Sequence, residues 1–391
     1  MAGPAAIVGC GAVKIGRYSD WTESDLALEA IRLALLDAGL DKDRVEGLYT
    51  TPDLQGNIGL QTNLLCEYLR IAPKSMFEIC CGAIAGGLAI RYAVEEIASG
   101  RIEVAVCYGA EREASINWFK RAAAGQGASL YEPTAIQPYG AAGIIWGYAM
   151  SARRYMYETG ATEEHFALAA VRNRKHARHS GVAAFTAPIT VEDVLRSRML
   201  SSPIKLLDSS ASLDGAAAVV VASARVAGSC RKKPVYVLGW GQHHDNSSFL
   251  PTDDCRKPIY TFAATREAAR EAFARSGVRP DDVDVAEIYA PFSPHELMIP
   301  EDIGWFARGE MVEAIKKGKT EIGGKIPINT DGGLISRGHP WAVTPFYETI
   351  NIIKQLRGEA GQNQVPGAKI GLVHCEGGML NNGLVLVLGR D

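Results

Sequence analysis

Apolar positions recur at helical spacing through residues 25–38 (Leu26, Ala27, Ala30, Ile31, Ala34, Leu35, Ala38) and stop at Gly39, with Ser24 as the expected N-cap. A short apolar run at 45–51 then reads as a strand. The same succession returns far along the chain: an amphipathic helix over 265–276 ending at Gly277, then a strand over 283–289. Each copy is followed by a turn of small residues opening a helix (80–100 and 338–358) and by a buried strand (104–109 and 369–375). Residues 37–52 and 275–291 also align side by side, with Gly39 opposite Gly277 and Val45 opposite Val283, so the chain reads as an internal duplication.

Helices alternating with apolar strands in both copies predict an α/β protein built of two related halves, each a mixed sheet with helices on it. Residues 1–111 with about 208–250 are expected to form the first half and about 251–391 the second. The segment 112–207, richer in Arg, Tyr and Gly, reads as an inserted loop region. Open α/β sheets place ligands at the C-terminal strand ends, where the turns at 80–87, Tyr289, His339 and Cys375 all fall.

Composition narrows the function classes. Of 391 residues, 47% are apolar and 22% charged, as in a compact folded chain, and a net charge of −3 gives no global reason to expect nucleic acid or an anionic membrane as partner. No apolar stretch is long enough to span a bilayer, and strand-like residues follow the first few positions directly, so a cytoplasmic location is expected. The eight cysteines (Cys10, Cys66, Cys80, Cys81, Cys107, Cys230, Cys255, Cys375) lack paired CxxC spacing, which favours reduced thiols over disulfides or zinc.

Candidate chemistry concentrates at few places. Residues 329–340 read Asn-Thr-Asp-Gly-Gly-Leu-Ile-Ser-Arg-Gly-His-Pro, and with six of these twelve positions Gly, Pro, Asn or Asp they predict a sharply bent loop holding His339. An imidazole fixed there suits a general base or a donor to an oxyanion; a plain turn residue is the alternative. The Cys80-Cys81-Gly82 turn leads a strand into a helix, where the helix N-terminal field favours a thiolate; two structural thiols are the alternative. Cys375 precedes Gly377 and Gly378, whose backbone N–H groups suit an oxyanion. The run Arg172-Asn173-Arg174-Lys175-His176-Ala177-Arg178-His179 is either a phosphate-binding cluster or a solvated helix face.

The duplication, the Asn-x-x-Gly-Gly…Gly-His-Pro loop, the Cys-x-Gly-Gly turn and the stretch Leu207-Asp208…Leu213-Asp214-Gly215-Ala216 together resemble the thiolase superfamily, above all its sterol-carrier-protein-type branch. The resemblance covers nearly the whole chain. It implies a five-layered αβαβα fold, homodimers and reaction on coenzyme A thioesters, with acyl-CoA as substrate and no metal or permanently bound cofactor. A small zinc-ribbon and OB-fold partner protein is a further implication. Thiolases use one cysteine as acyl acceptor, a Gly-His-Pro histidine to activate it, and a second cysteine as acid/base. By motif His339 takes the histidine role and Cys375 the acid/base role. The inserted segment would cradle coenzyme A, with Arg172, Arg174 and Lys175 on its phosphates and Gly377 and Gly378 alongside.

Two departures open alternatives. Counted back without gaps from Ile97-Ala98-Ser99-Gly100, the family's Cys-x-Ser-Gly-Gly falls on Ala83-Ile84-Ala85-Gly86-Gly87, which puts alanine where the nucleophile belongs. Either Cys81, two residues earlier, is the acyl acceptor or the acyl-enzyme step is lost. Glu287-Ile288-Tyr289-Ala290-Pro291-Phe292 stands where thiolases carry Asn-Glu-x-Phe or His-Asp-x-Phe. A tyrosine there resembles the thiolase-like aldolases of steroid side-chain degradation, which use tyrosine as acid/base but lack the Gly-His-Pro loop. The first expectation is therefore a thiolase with Cys81 as nucleophile, His339 as activator, Cys375 as acid/base and Tyr289 lining the site. The second is a retro-aldol lyase acting on a β-hydroxyacyl-CoA through Tyr289, and a third is a non-catalytic subunit.

Overall fold

The computed structural model describes residues 5–51, 60–115, 144–245, 258–378 and 380–390. Cys255, Met379 and the part of the inserted segment at 116–143 lie outside the described residues. The apolar runs become strands β1 (Ala5–Ala12), β2 (Gly47–Thr50), β3 (Ser75–Glu78), β4 (Val104–Arg112), β5 (Met199–Ser201), β6 (Ile204–Lys205), β7 (Asp214–Ser223), β8 (Val235–His244), β9 (Val285–Ile288), β10 (Ile370–Gly377) and β11 (Asn382–Gly389). Nine of them form one sheet in the order β3-β2-β4-β7-β1-β8-β11-β10-β9, and β5 pairs with β6 in a small separate hairpin.

Outward from its middle, the sheet is the duplication made visible. β1 and β8 meet antiparallel at Ala6–Tyr236 and Ile7–Val235. Each is then flanked by the strand that closes its half, β7 or β11, and by the strand after the middle helix, β4 or β10. Next comes the strand after the first helix, β2 or β9, which runs parallel to its neighbour in both halves. β3 completes the first half, and an isolated parallel bridge between Ala286 and Ile328 marks the matching place in the second. By this order β8 belongs to the second half, whereas the sequence boundary at about 250 put it with the first. The signal that places it is structural: β8 carries closely approached glycines that match those of β1.

Those glycines explain how the outer helices seat. A Cβ on Gly9 of β1 would come within 2.3 Å of Ala34 O in helix Glu23–Ala38, and a Cβ on Gly241 of β8 within 2.1 Å of Ala268 O in helix Ala263–Ser276. Only glycine lets each helix backbone lie this close to its sheet. Helix Glu23–Ala38 is capped by Thr22 in a reciprocal capping box with Asp25, two residues before the expected Ser24, and ends in left-handed Gly39. Helices Ala85–Ala98 and Thr344–Arg357 form a shared middle layer, where Leu88, Ile90 and Val94 enter the same core as Phe346, Ile350 and Ile353. With an outer helix on each half, the layering is the expected αβαβα. The inserted segment, through Tyr148, Tyr155 and Phe166, packs onto the second half's core beside Leu297 and Met298.

Candidate active site

The loop at 329–340 is rigid because its polar groups are buried and matched. Asn329, at φ 54°, accepts from Ile288 N (2.8 Å) on Oδ1 and donates to Ile288 O (3.2 Å) from Nδ2, so its side chain pairs with the end of β9 as a strand would. Fully buried Arg337 donates to Asp331 Oδ2 (2.8 Å) and Glu287 Oε2 (3.2 Å), and Glu287 also accepts from Thr330 N (2.9 Å). The loop thereby locks to the strand that precedes Tyr289. Contrary to the expectation of a continuous loop, residues Gly333–Arg337 form one helical turn, entered through Gly332 and Gly333 and left through Gly338, all at positive φ. Four glycine or asparagine residues at left-handed angles are what allow a helical turn between two sharp bends.

This arrangement delivers His339 to Tyr289. The His339 backbone is held by Ala211 O (3.0 Å) and by Leu213 N (3.4 Å), while Tyr289 N donates to His374 O (3.0 Å). The Tyr289 hydroxyl and His339 Nε2 share a hydrogen bond, with the rings edge to face at 5.2 Å, and His339 Nδ1 lies 3.4 Å from Ser210 Oγ. Burial, then the negative charges of Glu376 and Glu348, push the Tyr289 phenol well above its ordinary range, so it is a neutral donor at physiological pH. Both side chains line a cavity of about 80 Å³ with Ala83, Tyr148, Glu376, Gly377 and Gly378.

The remaining site candidates divide. Gly377 and Gly378 line the cavity. Ala83 lines it too, packed with Tyr289 and Leu334, whereas Cys81 is not among the lining residues. Cys81 is half-buried, accepts a weak hydrogen bond from Asn382 Nδ2 (3.5 Å) and keeps its carbonyl near the Gly377 backbone. Cys375 is fully buried, and its thiol lies against Gly87 in the middle layer; on β10 it faces the side opposite to His374 and Glu376. Burial pushes that thiol well above the ordinary range.

Arg172 and Arg174 of the basic cluster are buried on interior acceptors, while Lys175 is exposed. Arg172, 3% exposed, is ion-paired with Glu296 and donates to Thr320 Oγ1 (2.6 Å) and Asn173 Oδ1 (3.1 Å). Arg174 is buried on Ser336 Oγ (3.1 Å) and Ala187 O (3.2 Å), and Lys175 pairs with Glu321 at the surface. Arg172 is committed to the interior because the buried Glu296 carboxylate needs a matched charge, whereas Arg174 is held by neutral acceptors.

Two cavity residues had no role in the sequence reading. Tyr148 Oη donates to Glu376 Oε2 (2.8 Å) and Oε1 (3.1 Å), and Leu380 N donates to Oε1 (2.7 Å). Burial pushes the Glu376 carboxyl up to about 7. Glu376 stood in the Cys375–Gly377 motif, but Tyr148 arrives from the inserted segment, where no local pattern marks it. Among the described residues no cluster of His, Cys, Asp or Glu is placed to hold a metal ion, and no helix is long and apolar enough to cross a membrane.

The fold and this site define a two-half α/β protein with a tyrosine–histidine pair at the strand ends. The chain matches the family model described as "Thiolase, N-terminal domain" over residues 5–225 and "Thiolase C-terminal domain-like" over 241–390, and it belongs to the thiolase family. It is 34% identical over 390 residues to an acetyl-CoA acetyltransferase of Methanothermobacter thermautotrophicus, covering 98% of this chain and 99% of that one. It is 33% identical to a steroid side-chain-cleaving aldolase of Thermomonospora curvata, covering 100% and 99%. Sterol carrier protein 2 of Bos taurus, 34% identical over 62% of this chain and 43% of its own length, places the chain on the branch its motifs suggested. Among solved structures, the "Ltp2-ChsH2(DUF35) aldolase" superposes with a TM-score of 0.89 at 32% identity, covering 100% of this chain and 98% of that one.

Proposed function

We propose that this protein breaks or makes a carbon–carbon bond beside the carbonyl of an acyl-CoA, and that it does so as an aldol-type lyase on a β-hydroxyacyl-CoA. One observation carries the choice: the cavity presents the Tyr289–His339 pair, while the wall position expected of an acyl acceptor is Ala83. In the cleavage direction the substrate hydroxyl gives its proton to Tyr289 Oη as the phenol proton passes to His339 Nε2, and the electron pair released at oxygen drives the α,β-bond apart. The backbone at Gly377 and Gly378 supports the thioester oxygen as charge develops on it. A second reading, acyl transfer through Cys81 with His339 as activator and Cys375 as acid/base, draws support from the half-buried Cys81 beside the cavity wall and from the relative named an acetyl-CoA acetyltransferase.

The pair is tested by Tyr289→Phe, which keeps the ring and removes the transferable proton. Turnover of a β-hydroxyacyl-CoA should fall about 10²- to 10⁴-fold. An unchanged rate in Tyr289→Phe with a lost rate in Cys81→Ser would turn the assignment to acyl transfer.

The assembly belongs to the same proposal. β3 is the outermost strand of its half, with Met76 and Phe77 each 43% exposed, and such an edge suits a second copy of the chain. We place the working protein in the cytoplasm as a homodimer, joined by a small zinc-ribbon and OB-fold protein; the DUF35 component named together with the superposed aldolase supports that partner.

A further inference from the structure

Glu376 is a buried carboxyl without a guanidinium partner. Several other buried carboxyls do face guanidinium groups: Glu296 meets Arg172, Glu287 and Glu348 meet Arg337, and Glu301 and Asp302 meet Arg308, whereas Asp208 and Asp214 rest on hydroxyl and backbone N–H donors. Glu376 is 1% exposed and has hydrogen bonds from Tyr148 and Leu380 N, but no ion pair among the described residues. Burying a carboxyl without a counter-charge is unfavourable, and an apolar residue would avoid the cost. Its carboxyl lines the same cavity as Tyr289 and His339.

Aldol chemistry needs a second proton transfer that the Tyr289–His339 pair does not supply. One proton leaves the β-oxygen; another must reach the α-carbon once the carbon–carbon bond has broken. We propose that Glu376, oriented by Tyr148, is the acid/base residue for the α-carbon. This rests on the carbon–carbon reading above. In cleavage, the electron pair of the broken α,β-bond becomes the enolate of the thioester, the α-carbon takes the proton of the Glu376 carboxyl, and a new C–H bond forms. Glu376 is left as a carboxylate and His339 as an imidazolium, and the two are reset by exchange with solvent, so no external oxidant or reductant is needed. A carboxyl held near neutrality can give and take a proton at working pH. The other two titratable groups on β10 do not line the cavity: the Cys375 thiol faces the middle layer, and His374 Nε2 is hydrogen-bonded to Thr265 Oγ1 (3.0 Å).

The test isolates the α-carbon step. Propionyl-CoA incubated with the intact protein in D₂O is followed by mass spectrometry for deuterium at the α-carbon. The native protein should exchange this proton, Glu376→Gln should lose exchange by at least about a hundredfold, and Glu376→Asp should restore part of it. Tyr148→Phe removes a donor that favours the charged carboxylate, so its exchange profile should move to higher pH. The titratable groups facing Glu376 are Tyr148 on one side and Tyr289 with His339 on the other, with His295 edge to face against Tyr148. Exchange at the native rate in Glu376→Gln, no exchange by the native protein, or an unmoved profile in Tyr148→Phe overturns the assignment. Failure of the underlying reading shows separately, as native turnover of a β-hydroxyacyl-CoA by Tyr289→Phe.

Discussion

Replacing Arg172 by alanine separates a structural arginine from a phosphate-binding one. Arg172 and Glu296 are both buried, and Glu296 also accepts from Asn173 Nδ2 (2.6 Å) and Asn329 Nδ2 (2.8 Å). Removing the guanidinium leaves a carboxylate in the interior without its charge partner, which costs about 3–5 kcal/mol. At about 2.1 cal/mol/K per residue, a chain of 391 residues has an unfolding entropy of about 0.8 kcal/mol/K, so the melting temperature should fall by about 4–6 °C. Arg172→Met with Glu296→Gln should recover part of the loss, because the neutral amide no longer needs a cation. Differential scanning calorimetry provides the readout. The loss should also reach turnover, since Glu296 holds Asn329, and Asn329 holds Ile288 next to Tyr289. An Arg172→Ala protein that melts within about 1 °C of the native one while its KM for acyl-CoA rises would refute the reasoning and return Arg172 to the coenzyme phosphates.

Gly87→Ala should destabilise by about 1–3 kcal/mol through overpacking, because the added Cβ would sit 2.5 Å from Leu384 Cδ2 and 2.9 Å from Cys375 Sγ; thermal unfolding measures it. The pH dependence of stability has a defined sign at Glu376. Its folded carboxyl is raised from an ordinary value near 4.5 to about 7, so its contribution is full below about pH 4.5 and is lost as pH rises to about 7. Glu376→Gln should therefore flatten the decline in melting temperature across that window. On the acid side, burial holds His295 and His374 down to about 3, so their contribution is lost as pH falls from about 6.5 toward 3, and His374→Gln should soften acid unfolding.

The fold was legible because the duplication repeats local signals: the Gly39 and Gly277 helix stops, the strands after them, and the turns at residues 80 and 338. β8 fell on the wrong side of the sequence boundary because turn-type residues flank it on both sides, at 228–234 and 246–251, and only its pairing with β11 and its glycines against helix Ala263–Ser276 identify it. Tyr289 and His339 lay in two motifs that the resemblance put in one site, but their direct hydrogen bond was not legible in the sequence. What joins them is the buried network of Asn329, Arg337 and Glu287, whose members look like loop and strand residues of no special chemistry. Arg172 escaped for a related reason. A basic run says nothing about burial, and its partner Glu296 lies far along the chain on helix His295–Ile303. Tyr148 could not be anticipated, since a tyrosine in an inserted segment gains meaning only from the carboxyl it meets.

Carbon–carbon chemistry at Tyr289 and His339 is proposed to proceed without an acyl-enzyme. It is tested most directly by the intact mass of the protein, quenched in acid during steady-state turnover of a β-hydroxyacyl-CoA and, in parallel, of a β-ketoacyl-CoA. The protein should keep its unmodified mass in both. An added acyl group that maps to Cys81 would contradict it.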